Sequence, residues 1–321
     1  MWQILMKRLF ILLPQLAVLS LLMFWLAEFM PGDALSGLSQ DPDISQERLE
    51  QLRDIHGLGN VWYLRYASWF GNIIRGDFGV SLSHHLPVAE VVGQRAANSF
   101  ALSLATILLL YGIAIPLGVT AGKHNGMPIE KAISTYTYFM MSMPTVVFAI
   151  IVLFVFGFVL GWAPVRGSVG LGVLPGTPEY WFSRLHHMLL PALTGALLGT
   201  VGVVQYLRSE VAVHSKSRFV VTARAKGVPQ KRIYTHHILR NALLPLTADL
   251  CWVLVALVSG SIFIENIFSY PGMGQLFVES IERRDFAVVN FLVVVYGALL
   301  VLGSVLADIV VTSIDPRIRI Q

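Results

Sequence analysis

Residues 217–245 read SRFVVTARAKGVPQKRIYTHHILRNALLP, and the chain is organised by what lies on either side of them. Six of these residues are cationic (Arg218, Arg224, Lys226, Lys231, Arg232, Arg240) and none is acidic. At the centre Thr222, Ala223, Arg224, Ala225 and Lys226 alternate small residues with cations and stop at Gly227. Glycine enters the left-handed conformation that closes a helix without steric cost, which suits Gly227 to a C-cap. Pro229 suits the first turn of a following helix, where a missing N–H costs nothing. The stretch predicts helix, glycine corner, helix. Apolar runs at 188–207 and 247–268 flank it, so the corner joins two membrane spans.

Hydrophobic residues make up 55% of the 321 and charged residues 13%, against about 25% charged in a soluble domain. That balance excludes a large soluble core and identifies an integral membrane protein. The net charge of +4 is unevenly spread, which speaks for membrane topology and against nucleic acid. Cys251 is the only cysteine, so an internal disulfide and a cysteine-rich metal site are excluded. Lys7 and Arg8 before an apolar run resemble a signal peptide. No small-x-small site follows, and the run is long enough to span, so it reads as an uncleaved first helix.

Runs near the required length occur at roughly 9–30, 99–122, 132–160, 188–207, 247–268 and 288–311. The expected fold is all-α with six transmembrane helices. Residues 1–30 form the first helix, 31–98 an extracytoplasmic segment, and 99–321 a five-helix core carrying a loop at 208–246. Pro14, Pro116, Gly118, Gly195, Gly199 and Gly202 interrupt the runs and read as kinks and close helix contacts. Pro144, in SMPTVVFA, is the candidate to line a translocation path. Of the 23 Lys and Arg, two near the N-terminus, Lys123, Lys131, eight between 208 and 240 and two near the C-terminus share one side. An excess of cations marks the cytoplasmic face, so the orientation is N-in, C-in.

Outside the membrane, Ser45 caps a predicted helix ending at Gly57. A second amphipathic stretch, 62–75, places Trp62, Tyr63, Tyr66 and Trp69 at the interface. This segment receives a partner, shields the outer mouth of the bundle, or does both. After the fifth span, Tyr270, Pro271 and Gly272 mark a tight turn into an amphipathic helix that reads as a gate.

No phosphate-binding loop is present: residues 118–123 are one residue short and lack the hydroxyl after lysine. Nucleophile elbow, HExxH and paired carboxylates are missing too, so any ATP hydrolysis belongs to another polypeptide. His84-His85, His186-His187 and His236-His237 lack a cysteine or carboxylate at ligand spacing and read as solvated interfacial residues rather than a metal site. Glu28, Asp249, Glu265 and Asp308 sit near span ends, where snorkelling or a local hydrogen bond accounts for them more simply than proton relay.

The motifs TARAKG (222–227) with RNALLP (240–245), GDFGVSL (76–82), FSYPGMGQL (268–276), RRDFAVV (283–289) and DPRIR (315–319) follow one another in order. On these the chain resembles the permease subunits of binding-protein-dependent ABC importers, the B-type subunit of the oligopeptide, dipeptide and nickel group. The resemblance implies a bacterial inner-membrane subunit that passes peptides by alternating access, with nickel or a metal chelate as the alternative cargo. It also implies a second permease as heterodimeric partner, an extracytoplasmic solute-binding protein, and two cytoplasmic ATPases that hold ATP and Mg; this chain itself holds no cofactor or metal. The basic loop would form coupling helices seated in an ATPase groove, with Ala223, Ala225 and Gly227 as close-approach positions and Leu244 and Pro245 as the exit. Two departures stand out: Arg218 and Val221 occupy positions where the group often has an acidic and a basic residue, and Tyr270 replaces a typical tryptophan.

Three other readings remain. The loop can merely set orientation or bind anionic headgroups of membrane lipid, although alternating small residues and the Gly-x-Pro corner fit docking better. An ion-driven secondary transporter calls for a midplane charge and often an internal repeat, and neither is clear. A membrane scaffold without transport is the third.

Overall fold

The computed structural model describes residues 2–28, 47, 51, 61–243, 245–246 and 261–314. Among the described residues the chain is helical, with one isolated bridge between Val80 and Pro87 and no strand. The helices are α1 Trp2–Glu28, α2 Trp62–Ile74, α3 Val88–Lys123, α4 Pro128–Ser142 and α5 Thr145–Val152, which runs into the π-helical Leu153–Val159. Then come α6 Pro178–His214 and α7 Arg218–Ala225, followed by α8, which starts at Gln230–Arg232 and continues through the π-helical Ile233–Ile238 into Leu239–Ala242. The chain closes with α9 Ile262–Ile267, α10 Met273–Glu282 and α11 Phe286–Ile314. The predicted helix at 45–57 and most of the run at 247–268 lie outside the described residues, as do Leu244, Asp249, Cys251 and the DPRIR motif.

Helices α3, α6 and α11 up to Leu306 are long and apolar enough to cross a membrane, and α1 contributes a shorter apolar stretch, Pro14–Leu26. The run at 132–160, expected as one span, is broken: α4 and the α5 segment meet at 104°. The cause is local. A residue before proline is pushed out of the helical region, and Met143 is extended at φ −93°, ψ 123°. Pro144 then stands just ahead of α5, where its missing N–H is not needed.

The core is α3 against α6. A side chain on Gly118 would put its Cβ 2.6 Å from the Cβ of Leu207, and on Gly122 the same distance from the Cβ of Val211. Gly199 lies against Leu110 and Gly195 against Thr106, so these two glycines are an interface, whereas Gly202 meets nothing within 4 Å. Helix α6 begins where Thr177 accepts from the N–H of Tyr180 (3.2 Å), with Pro178 in its first turn. Helix α11 packs along α1, Gly297 against Leu16. Helix α2 also rides on α1: the Ser20 and Tyr66 hydroxyls are 2.9 Å apart, and Phe24 packs between the rings of Tyr66 and Trp69.

Candidate functional site

Two corners, at opposite ends of α3, hold nearly all the residues singled out by the sequence. From Ser99 to Lys123 the helix rises roughly 36 Å, from 1.5 Å per residue, close to a bilayer's hydrocarbon core.

At one corner, the one the sequence reading places on the inner side, α7 ends in a pair of bonds that closes a helix on a left-handed residue. The N–H of Gly227 donates to the carbonyl of Arg224 (2.9 Å) and that of Val228 to the carbonyl of Ala223 (3.1 Å). Gly227 has φ +73°, and a Cβ there would meet nothing within 4 Å. Pro229 precedes α8 rather than entering its first turn. Val220 and Ala223 are buried against Leu207 and Val211 of α6 and Ile233 and Ile238 of α8. Thr222, Arg224, Ala225, Lys226, Gly227 and Pro245 are exposed, and Val221 is 61% exposed. Lys123, the last residue of α3, lies over the Tyr234 ring at 5.6 Å and ties this corner to that helix. Nearby, Arg208 of α6 pairs with Glu130 of α4 at 2.8 Å, Ser134 donates to the same carboxylate, and Gln205 donates to Thr137 at 2.5 Å.

At the other corner, the one the sequence reading places on the outer side, α9 turns through Tyr270, Pro271 and Gly272 into α10. Glu265 is 0% exposed. Its carboxylate accepts from the Ser99 hydroxyl (2.7 Å) and from the N–H groups of Gly274 (2.7 Å) and Gln275 (3.2 Å). Ser99 in turn accepts from the N–H of Met273 at 2.7 Å. The free donors at the start of α10 are thereby satisfied by one carboxylate and one hydroxyl. Asn98 donates to the carbonyl of Pro271 (2.9 Å) and accepts from Arg184 of α6 (3.1 Å). Tyr270 is fully buried beside Leu102 and Ala192, and burial pushes its hydroxyl up to about 12, so it stays neutral.

The other end of α10 is held similarly. Asp285, also buried, accepts from the Ser81 hydroxyl (2.5 Å) and the Ser83 N–H (3.0 Å). Two of the motifs in order along the chain, GDFGVSL and RRDFAVV, thus meet in space. Ser269, Arg284 and His85, which have positive φ, sit respectively before α10, after it, and in the turn that reaches Asp285.

Pro144 belongs to a different corner, that between α4 and α5, and is exposed there. Glu265 is locally hydrogen-bonded, as one of the two simple readings had it, and does not snorkel. The parts played by Ser99, Asn98, Ser81 and Asp285 went unread in the sequence, because each depends on a partner 166 or more residues away. Of the histidines, His84 contacts Ser81 and His186 contacts the carbonyl of Trp162.

The family model for the inner membrane component of binding-protein-dependent transport systems matches residues 114–320. The oligopeptide transport system permease protein AppB of Bacillus subtilis (strain 168) is 34% identical over 314 residues, 98% of each chain. OppB of Haemophilus influenzae, an oligopeptide transport system permease protein, is 32% identical over 320 residues, again 98% of each. DppB of Lactococcus lactis subsp. cremoris, a dipeptide transport system permease protein, is 27% identical over 315 residues and 98% of each. A chain of the MetNI methionine ABC transporter, solved in inward-facing conformations, superposes with a TM-score of 0.51 at 16% identity, covering 70% of this chain and 96% of that one. That likeness extends to the fold alone.

Proposed function

Because the chain belongs to the family of inner membrane components of binding-protein-dependent transport systems, we propose that it is the permease subunit of an ATP-driven peptide importer. It is a multi-pass inner-membrane protein. Six spans with both termini inside, a first helix at 1–30, an extracytoplasmic segment at 31–98 and a core at 99–321 complete the proposed topology. Two ATPases, which hold ATP and Mg, a second permease and an extracytoplasmic binding protein are its proposed partners.

The observation that carries the proposal is the two-sidedness of the inner corner. Its buried side, Val220 and Ala223, belongs to the chain's own core, while Thr222, Arg224, Ala225, Lys226 and Gly227 form a bare face. A corner this well closed needs no exposed small residues for its own packing; a partner that must come close does. Through Lys123 and Tyr234, and through Arg208 and Glu130, a push on this corner reaches both α3 and α4. Residues 208–246 then serve as the coupling loop, with Leu244 and Pro245 at its exit. Tyr270, Pro271 and Gly272 belong to the outer gate, and Pro144, at the break in the third span, to the path.

The test is uptake into vesicles holding the chain with its partner subunits, loaded with ATP and offered di- and oligopeptides with the binding protein. ATP-dependent peptide accumulation is expected. Accumulation driven by an ion gradient without any ATPase would overturn it.

A further inference from the structure

We propose that the outer helix α10 is not a hinged flap but moves as one body with the outer end of α3, and that Glu265 is the positioning residue that fixes the two together. The proposal rests on reading the chain as a transport subunit and concerns how its outer gate works.

A flap needs a junction that can open. The junction before α10 is instead its most tightly built part. Ser99, from α3, stands between Glu265 and the first N–H of α10, giving its proton to the carboxylate and accepting one from Met273. The second oxygen of Glu265 takes the next two N–H groups. No room remains around this knot. A Cβ on Gly272 would run into the Glu265 carboxyl and come within 2.5 Å of the Ser99 hydroxyl, and one on Gly274 would lie 2.7 Å from the Cα of Ile262.

The contact continues along the helix. Arg95 of α3 reaches Gln275 (3.3 Å) and Glu279 (3.6 Å) of α10. Val88, Val91 and Val92 of α3 share a buried cluster with Met273 and Leu276 of α10. Swinging α10 off α3 would strand a buried carboxylate and expose that cluster together, each an unfavourable change with no replacement partner in view. Buried polar groups satisfied to this degree act as rigid joints.

The geometry also separates position from charge. A glutamine at 265 can keep its carbonyl oxygen on Gly274 and Gln275 and reverse the Ser99 bond, its NH₂ donating to the Ser99 oxygen, so the joint keeps its N–H bonds and loses only the charge and the acceptor of the Ser99 proton. Alanine keeps nothing.

The experiment uses the full transporter in vesicles, with Cys251 replaced by alanine. Arg95→Cys and Gln275→Cys are introduced together and joined by a short bifunctional thiol reagent. The expected result is ATP-driven peptide uptake within about twofold of the same variant before joining, since atoms that move together lose little by being tied. A loss of tenfold or more on joining, with ATP hydrolysis continuing, would show that α10 must part from α3 and would overturn the proposal. Absence of uptake in the unmutated transporter under the same conditions would overturn the importer reading instead.

A second arm needs no cross-link. E265Q is expected to keep uptake within about threefold, and E265A to lower it about tenfold while raising ATP hydrolysed per peptide imported. E265Q as defective as E265A in that ratio would mean the charge and not the placement matters, and E265A with normal uptake would mean neither does; both overturn the assignment. Should E265A fail to assemble, the ratio measured for E265Q and for the joined cysteine pair still decides.

Discussion

The two corners at the ends of α3 answer one backbone problem in opposite ways. Each ends one short helix, turns, and starts another. The outer corner closes on itself: every donor at the start of α10 that the structure pairs goes to a buried side chain, and Gly272 is extended, at φ −109°, with atoms packed where its side chain would be. The inner corner closes only its backbone. Gly227 is left-handed, and the space beside it is empty. One glycine is required by its neighbours and the other by its own dihedral. A corner filled by the chain itself is a rigid fitting, and a corner left bare leaves room for the partner proposed above.

The comparison breaks most easily at Gly272. Gly272→Val inserts a branched side chain into the knot formed by Glu265 and Ser99, and over-packing of a tight interior costs about 1–3 kcal/mol or more. Stranding the Glu265 carboxylate adds to that. The expected outcome is a large fall in the melting temperature of the purified protein and little assembled transporter. Gly227→Val is expected to lower stability by only about 1–2 kcal/mol, the strain of a left-handed non-glycine residue. If the two substitutions destabilise equally, the contrast drawn between the corners is wrong.

At the far end of α10, Asp285→Ala removes the acceptor of the Ser81 hydroxyl and the Ser83 N–H together. An unpaired buried donor costs about 1–3 kcal/mol. A measurable loss of thermal stability is expected, along with faster hydrogen exchange at Ser83. Ser81→Ala leaves the buried Asp285 carboxylate only the Ser83 N–H and removes the acceptor of the His84 N–H, so it should also lower thermal stability.

How much of this was legible follows from how far each feature reaches along the chain. The glycine corner depends on Gly227 and Pro229, two residues apart, and could be read directly. The same window also held a clue that spacing supplies: residues two apart on a helix point about 200° apart. Ala223 and Ala225 therefore cannot face the same partner, and Ala223 is turned into the core with Leu207 and Ile233. The break in the run at 132–160 was half legible, since a proline disfavours the helical region at the residue before it, but Pro144 was read as lining a path and the apolar run hid a bend of 104°. The knot at Glu265 was legible only as a local hydrogen bond beside a tight turn, and its long-range half was not legible. Its serine lies 166 residues away, and the separation between Ser81 and Asp285 is 204. Only the all-helical fold brings those pairs together.

A smaller effect sharpens the inner corner. Asparagine tolerates the left-handed conformation far better than valine does. Gly227→Asn is expected to restore nearly all the stability lost in Gly227→Val, within about 0.5 kcal/mol of wild type. Transport then decides what the glycine is for. Recovery of peptide uptake in Gly227→Asn would mean that the corner needs only its backbone angle. Stability recovered with uptake still lost, and ATP hydrolysis running free of transport, would mean that the empty space beside Gly227 is itself the requirement.

The smallest effect concerns the cations, and it separates docking from orientation. Arg224 and Lys226 are exposed, and exposed surface substitutions fall within about ±0.5 kcal/mol. If positive charge near the inner surface sets which face is cytoplasmic, six cations at 218–240 leave ample excess after two are removed. Arg224→Gln with Lys226→Gln should therefore leave stability, insertion and topology unaltered, as read by melting temperature and by labelling of single cysteines from each side. If Ala225, the small residue between them, and Gly227 carry the close approach proposed above, uptake should also fall by less than about threefold, the loss of one or two exposed ion pairs. A much larger loss would transfer the coupling role from the shape of this corner to its charge, and the bare face of α7 would have to be read as an electrostatic surface.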